Sequence, residues 1–271
     1  MSDQDRYVPG VPVWVDLTTP DPQAARAFYG GLFGWTLTDA AGPDDRSEAR
    51  LEGGAVGGVV RGATAGWTTY VLVTSLDTTA AAVRAAGGQV HGEPVALDGA
   101  RVLTVSDPEG LTVGLWEAQG RRGADVVNAH GSVNFNDLYT HDLDAAVAFY
   151  GAVFGWRTLD MGGGSLMWAL DAYGDHLEER TPGTRESYAA MGGPAGFENV
   201  VASVTVLGDD GSPARWGVTF AVDDADAAAQ AVAELGGEVV SGPYDASWVR
   251  MAEVRDPHGA SFVASQFVPP S

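Results

Sequence analysis

The chain carries the same block of sequence twice, and this repeat constrains its fold more than any other feature. Residues 16–35 read DLTTPDPQAARAFYGGLFGW and residues 137–156 read DLYTHDLDAAVAFYGAVFGW, with 13 of 20 positions identical. A second block, consisting of Trp67, a Gly-Gly pair and DPEG at 107–110, recurs as Trp216, a Gly-Gly pair and DPHG at 256–259. Because repeated sequence folds into repeated structure, we expect two similar domains.

The spacing of the two blocks predicts the domain boundaries. The first block recurs after 121 residues (137 − 16) and the second after 149 (216 − 67), so the second copy has 28 extra residues between Trp156 and Trp216. We place the first domain at 1–118, a linker at 119–130 and the second domain at 131–271. Domains of this size are long enough to bury independent cores.

Composition excludes several classes of function. The 271 residues include no cysteine, and all 15 basic residues are arginines, so thiolate, Schiff-base and P-loop lysine chemistry are excluded. A net charge of -21 repels a phosphate backbone, so we expect no nucleic-acid partner. The N-terminal MSDQDRYVPG lacks the features of a signal peptide, and no apolar run is long enough to span a bilayer. We therefore expect a cytoplasmic protein with no membrane partner.

Hydrophobic periodicity predicts the same order of elements four times. A strand at 11–18 is followed by a helix whose apolar residues recur at helical spacing and which ends at Gly34. Three short strands separated by Gly, Pro and Asp come next, and the order restarts at Trp67. The sequence therefore predicts an α+β fold of tandem βαβββ units, two in each domain.

These motifs resemble those of the vicinal oxygen chelate superfamily. The resemblance lies in AFYGGLFGW at the end of the first helix and in the DPxG turn before the last strand, both of which recur in the second half. The superfamily includes glyoxalase I, bleomycin-resistance proteins and extradiol dioxygenases, and the chain is most similar to two-domain actinobacterial members often labelled hydroxylases. The resemblance implies two glyoxalase-like domains, each with a curled mixed sheet enclosing a cavity.

In metal-dependent members of that superfamily, strands of each unit supply His, Glu or Gln ligands to a metal in the cavity. The matching positions here hold Trp14, Thr68, Gly114, Phe135, Gly217 and Val263. Apart from a weak Thr oxygen, none of these side chains can ligate a metal. We therefore expect no metal and no other cofactor.

Alternation along the first strand of each half points two carboxylates into the expected cavities. Asp16 shares a face with Trp14 and Thr18, and Asp137 shares one with Phe135 and Tyr139. Desolvation in an aromatic cleft raises the pKa of a carboxyl group, which suits a general base.

Two arginines are related by the same repeat. Arg101 and Arg250 lie six residues before each DPxG turn, where we expect either to reach the Asp of its own domain. The candidate catalytic residues are therefore Asp16, Asp137, Arg101 and Arg250. The alternative is that these residues form a repeated structural ion pair that holds strands together.

Aromatic residues on the strands suit a flat ligand, because ring faces stack on planar molecules. The candidate ligand-binding residues are Trp14, Thr18, Thr68, Tyr70, Trp116, Phe135 and Tyr139. The alternative is that these rings are ordinary core.

Three hypotheses of function follow. The first is metal-independent sequestration of a small aromatic or polyketide-like molecule, such as a metabolite or an antibiotic. The second is a tailoring enzyme of secondary metabolism that uses Asp16 or Asp137 in proton transfer, and the third is a structural or interaction protein. The insert, which we place within 175–210, either covers a cavity, decorates the surface or contacts a second copy in a homodimer.

Overall fold

A computed structural model describes residues 3–39, 45–162, 164–209, 211–246 and 248–268. Within them the chain forms four copies of one module, in which a strand and a helix are followed by three strands. A short 3-10 helix at Asp3–Arg6 precedes the first module. No helix in the described ranges combines the length and the hydropathy needed to cross a membrane.

The first two modules occupy residues 12–118. The first module consists of β1 (Pro12–Thr19), α1 (Pro22–Phe33), β2 (Thr36–Leu37), β3 (Ser47–Leu51) and β4 (Gly54–Arg61). The second module consists of β5 (Gly66–Val73), α2 (Leu76–Ala85), β6 (Gln89–Leu97), β7 (Ala100–Ser106) and β8 (Thr112–Ala118).

The third and fourth modules occupy residues 133–267. The third consists of β9 (Val133–Thr140), α3 (Leu143–Phe154), β10 (Arg157–Asp160), β11 (Leu166–Ala169), α4 (Asp171–Arg180), α5 (Thr184–Ala190), a 3-10 helix (Phe197–Asn199) and β12 (Val200–Val206). The fourth consists of β13 (Arg215–Ala221), α6 (Ala225–Glu234), β14 (Glu238–Ala246), β15 (Val249–Arg255) and β16 (Ser261–Phe267).

Each half of the chain contributes one mixed sheet of eight strands. The strand orders are β2-β3-β4-β1-β5-β8-β7-β6 and β10-β11-β12-β9-β13-β16-β15-β14. Within every module the first strand pairs in parallel with the last, as in the register of Asp16 with Gly58 and of Asp137 with Ser203. The α+β prediction with tandem βαβββ units is confirmed, whereas a cavity enclosed by each sheet stays a prediction.

The repeated FGW motif ends the first helix of each half as predicted. Gly34 and Gly155 both have left-handed backbone geometry, with φ of 74° and 75°, which favours glycine. The indole Nε1 of Trp35 then donates to the carbonyl of Gly131, and that of Trp156 donates to the carbonyl of Gly10, each at 2.7 Å. The motif therefore closes a helix and ties its end to another segment.

The modules pack as two compact units. One unit contains the first and fourth modules (14–68, 124–135 and 217–271), and the other contains the second and third (1–13, 69–123 and 136–216). From the order of their modules along the chain alone, we call them the outer and the inner unit. In the outer unit α1 and α6 bury a shared core that includes Phe28, Leu32, Phe220 and Phe262. Each unit thus combines one module from each half of the chain.

A buried Tyr–Asp pair explains why the FY and DPxG motifs repeat together. In the outer unit the Tyr29 hydroxyl donates to Asp256 Oδ2 at 3.2 Å. In the inner unit the Tyr150 hydroxyl donates to Asp107 Oδ2 at 2.8 Å and accepts from Trp216 Nε1 at 2.9 Å. Each helix tyrosine therefore holds the DPxG turn of the module packed against it.

Burial determines the protonation behaviour of this pair in the inner unit. Desolvation raises the pKa of the Asp107 carboxyl above its ordinary 3.8, although hydrogen bonds from the Leu111 amide and the Tyr150 hydroxyl oppose the shift. Desolvation and the negative charge of Asp107 raise the pKa of Tyr150 well above its usual value. The pair is thus a buried structural element.

The insert of the third module lies between β11 and β12. Thirty residues (170–199) separate these two strands. In the first module, only two residues (52–53) separate the equivalent strands β3 and β4. Instead of an irregular connection, the segment forms α4, α5 and a 3-10 turn. Arg185 holds it together through ion pairs to Asp175 at 2.6 Å and Glu198 at 3.1 Å, and His176 Nε2 lies 2.5 Å from the carbonyl oxygen of Asp5.

Candidate functional site

Each module presents one sheet face that its helix does not cover, which we call the helix-free face. In β1, Val15 and Leu17 belong to the core under α1, so alternation directs Trp14, Asp16 and Thr18 to the helix-free face. The indole of Trp14 donates to the Asp16 carboxylate at 3.0 Å, which places both side chains on that face.

Asp16 is fully engaged inside the first module. It is only 1% exposed, and its Oδ2 lies 2.6 Å from Arg46 Nη1 in an ion pair that lacks the angles of a hydrogen bond. A Cβ at Gly58, the partner of Asp16 on β4, would overlap the carboxylate, so only glycine leaves room for it. These contacts support the structural interpretation of Asp16.

The equivalent residues of the third module are more accessible. Phe135, Asp137 and Tyr139 are all half-buried. The Ser203 hydroxyl donates to Asp137 Oδ1 at 2.5 Å, and the guanidinium of Arg215 lies 3.8 Å from the centre of the Tyr139 ring, a cation–π contact. This face therefore presents to solvent the carboxylate of Asp137, the hydroxyl of Ser203 and the ring of Tyr139.

The predicted pairing of Arg101 and Arg250 with the strand aspartates is wrong. Arg101 donates to Glu117 at 3.1 Å, and the other oxygen of Glu117 accepts from the Leu76 amide at the start of α2. Both arginines lie on the helix-covered side of their strands. An arginine occurs at this position in both halves of the chain, but the two-residue period of a strand places it on the sheet face opposite to Asp16 and Asp137.

Arg250 follows the same rule in the fourth module. Its guanidinium donates to Asp226 of α6 at 2.6 Å and to Asp245 of β14 at 2.9 Å. Hydrogen bonds from Arg250 hold the pKa of Asp226 below its ordinary value. Arg250 therefore ties the helix to the sheet.

The positions that carry metal ligands in the resembled superfamily do not fit a metal here. In the second module a Cβ at Gly114 would overlap the ring of Tyr70, so an aromatic ring fills the place of a ligand. Trp14 and Phe135 have no donor suited to a divalent ion. Within the parts of the chain that the structure describes, no group of three or more His, Asp or Glu side chains could hold a metal.

The second module fills its helix-free face with its own aromatic residues. Tyr70 is 6% exposed and Trp116 is 1% exposed, and their rings meet edge to face at 6.2 Å. The indole of Trp116 donates to the carbonyl of Arg121 at 2.9 Å. These two predicted ligand-binding residues are core residues of their module. Thr18 and Thr68 are half-buried on their strands.

The fourth module leaves its helix-free face open, although none of the ligand-binding residues predicted from the sequence lies on it. On β15, Ala252 and Val254 are buried under α6, so alternation directs Val249, Met251 and Glu253 to the open face, where all three are half-buried. Tyr244, Trp248 and Phe267 border the same face. Alternation around the buried Ala252 was the signal that would have found it.

Two concavities among the described residues lie apart from all the predicted site residues. One of about 170 Å³ is lined by Arg26, Asp45 and Arg61 among others. The other, of about 320 Å³, is lined by Gly10, Thr78 and their neighbours.

Comparison with known proteins agrees with the fold. A family model described as the Glyoxalase/Bleomycin resistance protein/Dioxygenase superfamily matches residues 131–263, and a glyoxalase-like domain model matches residues 13–115. Among solved structures, the Mn(II)-bound glyoxalase from Novosphingobium aromaticivorans has a TM-score of 0.64 at 17% identity, covering 95% of this chain and 82% of that one. The 2,3-dioxygenase LapB from Pseudomonas sp. KL28 has a TM-score of 0.62 at 13% identity, covering 98% and 96%.

Two relatives are similar over almost their whole length. CFP32 of Mycobacterium tuberculosis, whose name includes the word glyoxylase, is 36% identical, and the alignment covers 97% of both chains. The anthracycline biosynthesis protein DnrV of Streptomyces peucetius is 32% identical, covering 95% of this chain and 93% of DnrV. The chain therefore belongs to the glyoxalase/bleomycin resistance protein/dioxygenase superfamily.

Proposed function

We propose that the second half of the chain binds a small, largely apolar aromatic metabolite without the help of a metal ion. The observation that carries this proposal is the contrast between equivalent residues. Trp14 and Asp16 are 6% and 1% exposed, whereas Phe135 and Asp137 are half-buried. A ligand needs accessible aromatic and polar groups, and β9 provides them.

The names of relatives support a small-molecule role. DnrV and the similar DauV of Streptomyces sp. (strain C5), 32% identical, are both anthracycline biosynthesis proteins. A polyketide-like aromatic molecule is therefore the ligand class that we assign to this chain. Tyr139, whose ring lies against Arg215, supplies a surface for stacking.

A second function, tailoring of such a molecule, is favoured by the setting of Asp137. Its carboxylate is half-buried and accepts a short hydrogen bond from Ser203. A carboxylate that is both accessible and oriented can take or give a proton at a bound substrate. In this function Asp137 is the acid or base, and Asp16 keeps its structural role.

Calorimetry of the chelator-treated protein with a panel of planar aromatic natural products tests the binding proposal. We expect saturable binding, with Tyr139→Ala weakening it about tenfold or more because a stacking surface is lost. The equivalent change in the first half, Thr18→Ala, decides between the halves. If Thr18→Ala weakens binding and Tyr139→Ala does not, the site lies in the first half of the chain.

Mass spectrometry of the recovered ligand separates the two functions. A sequestering protein returns the ligand unchanged, and Asp137→Asn leaves its affinity nearly as it was. A tailoring enzyme shifts the mass of the ligand or isomerises it, and Asp137→Asn lowers the rate. Absence of binding across the whole panel would overturn the proposal and leave a structural or interaction role.

A further inference from the structure

The open face of the fourth module is a regular grid of side chains. Pairing between β13, β16, β15 and β14 places Thr219, Val263, Glu253 and Ser241 in one row across the sheet. The next row contains Ala221, Ser265, Met251 and Tyr244, and the row after it contains Phe267, Val249 and Ala246. One carboxylate thus lies at one end of this face, and aromatic and apolar side chains lie at the other.

Glu253 lacks a partner. Its carboxylate has no hydrogen bond and no ion pair with any residue that the structure describes, although the side chain is half-buried. The cation next to it on the same face is Arg255, which is already bound to Glu238 at 3.0 Å. A half-buried carboxylate flanked by Met251 and Val263 is stabilised by a cation that enters from outside the protein.

The other end of the face presents an aromatic surface. The rings of Trp248 and Phe267 stack with centroids 6.3 Å apart and an angle of 18° between them. Phe267 is 62% exposed and Tyr244 is 38% exposed. Exposed rings of this kind are typical of binding surfaces for flat apolar molecules.

The repeat shows that the fold does not need these residues. At the equivalent positions, 149 residues earlier, the second module has Thr104 for Glu253, Gly99 for Trp248, and Ala118 for Phe267. Tyr244 corresponds to Val95 in the same way. A module of the same architecture thus folds with small or neutral residues there, so the carboxylate and the rings are specific to the fourth module.

From this arrangement we infer that the fourth module binds an aromatic ligand that carries a protonated amine, with the ammonium at Glu253 and the ring system against Met251 and Phe267. The inference rests on the proposal that the second half of the chain binds aromatic metabolites, and it adds that the fourth module binds those that carry an amine. At about 3.4 Å per residue along a strand, Met251 lies about 7 Å and Val249 about 14 Å from Glu253. A fused-ring aromatic with a short aminoalkyl arm spans that distance.

Charge excludes the opposite class of ligand. An anionic aromatic would place its charge beside Glu253 in a chain of net charge -21. A neutral aromatic would cover the carboxylate without giving it a partner, and that desolvation weakens binding. A cationic aromatic satisfies both ends of the face.

Two probes with the same ring test this inference. Calorimetry compares aminomethylanthracene, which is cationic at neutral pH, with anthracenemethanol, its neutral analogue. We expect the wild-type protein to prefer the amine by about tenfold or more, because a hydrogen bond to a charged group is worth that much. Glu253→Gln should abolish the preference, and Phe267→Ala should weaken binding of both probes.

Val95→Ala is the matched control, since Val95 is as exposed as Tyr244 at the equivalent position. This variant should bind both probes with the affinity of the wild-type protein, and thermal unfolding should show that all variants fold. If both probes bind equally, or if the preference survives Glu253→Gln, the inference is overturned while the proposed function stands. If neither probe nor any planar aromatic binds, the proposed function itself fails.

Discussion

At the scale of single residues, one glycine accounts for the different surroundings of the aspartates on β1 and β9. Gly58 and Ser203 occupy the same sheet position, opposite Asp16 and Asp137. The missing side chain at Gly58 leaves room for the Asp16 carboxylate, which pairs with Arg46, whereas Ser203 donates a hydrogen bond to Asp137. One copy therefore buries its carboxylate, and the other leaves it accessible.

This difference predicts unequal effects of alanine at the two positions. Gly58→Ala should lower the free energy of unfolding by about 1–3 kcal/mol, because its Cβ overlaps a buried carboxylate that Trp14 and Arg46 hold in place. Ser203→Ala should cost about 1 kcal/mol or less, because it removes one hydrogen bond from a half-buried group. Urea denaturation measures both. Equal losses would show that the Asp16 pocket can relax.

The Asp107–Tyr150 pair predicts a pH effect on stability. Burial raises the pKa of Asp107, so the folded protein holds this proton more tightly than the unfolded chain does. Its contribution to stability is therefore most favourable below the ordinary pKa of 3.8 and declines as the pH rises through the raised folded value.

Asp107→Asn cannot titrate, which isolates the effect. As the pH rises above the ordinary pKa of 3.8, the wild-type protein should lose free energy of unfolding relative to Asp107→Asn until the carboxyl group is also ionised in the folded state. Glu93→Gln, which removes an exposed charge from β6, is the control for the change in net charge. A constant difference between wild type and Asp107→Asn across this range would contradict the expected shift.

At the scale of elements, the insert is a packed substructure. Gly174 lies buried in α4, and a Cβ there would overlap the side chain of Asn199. Gly174→Ala should therefore loosen the insert from β12 and raise the rate of tryptic cleavage after Arg180 and Arg185. Ser187→Ala, on the exposed side of α5, should leave cleavage unchanged. Unaltered cleavage in Gly174→Ala would mean that α4 shifts without cost.

Sequence patterns predicted the elements better than they predicted the side chains that meet. The FGW glycines ended α1 and α3 as expected because left-handed caps have a local signal. The cap of α2 is harder to predict, because Ser75 and Asp77 are both cap-forming residues within one turn, and it is Ser75 that accepts the hydrogen bond from the Thr78 amide. Arg101 pairs with Glu117 instead of Asp16, because the two-residue period of a strand, and not chemical complementarity, determines which side chains share a face.

At the scale of the whole molecule, the duplication was visible in the sequence, but the way the modules combine was not. Tyr29 and Asp256 are 227 residues apart in sequence, and no local pattern shows that a helix of the first module holds a turn of the fourth. The open face of the fourth module had a partial signal in the sequence: residues on β15 alternate around the apolar Ala252 and Val254, but the sequence alone does not show that α6 covers those two.

This combination predicts how fragments of the chain behave. Residues 1–118 contain Asp107 without Tyr150, and residues 131–271 contain Asp256 without Tyr29. Each fragment therefore has one module of each compact unit and can complete neither Tyr–Asp pair. Each fragment alone should lack a cooperative thermal transition, because it exposes the apolar faces of its helices. Mixing the two should restore the transition and the circular dichroism of the intact chain. A fragment that unfolds cooperatively as a monomer would instead show that the boundaries predicted from the repeat enclose an autonomous domain.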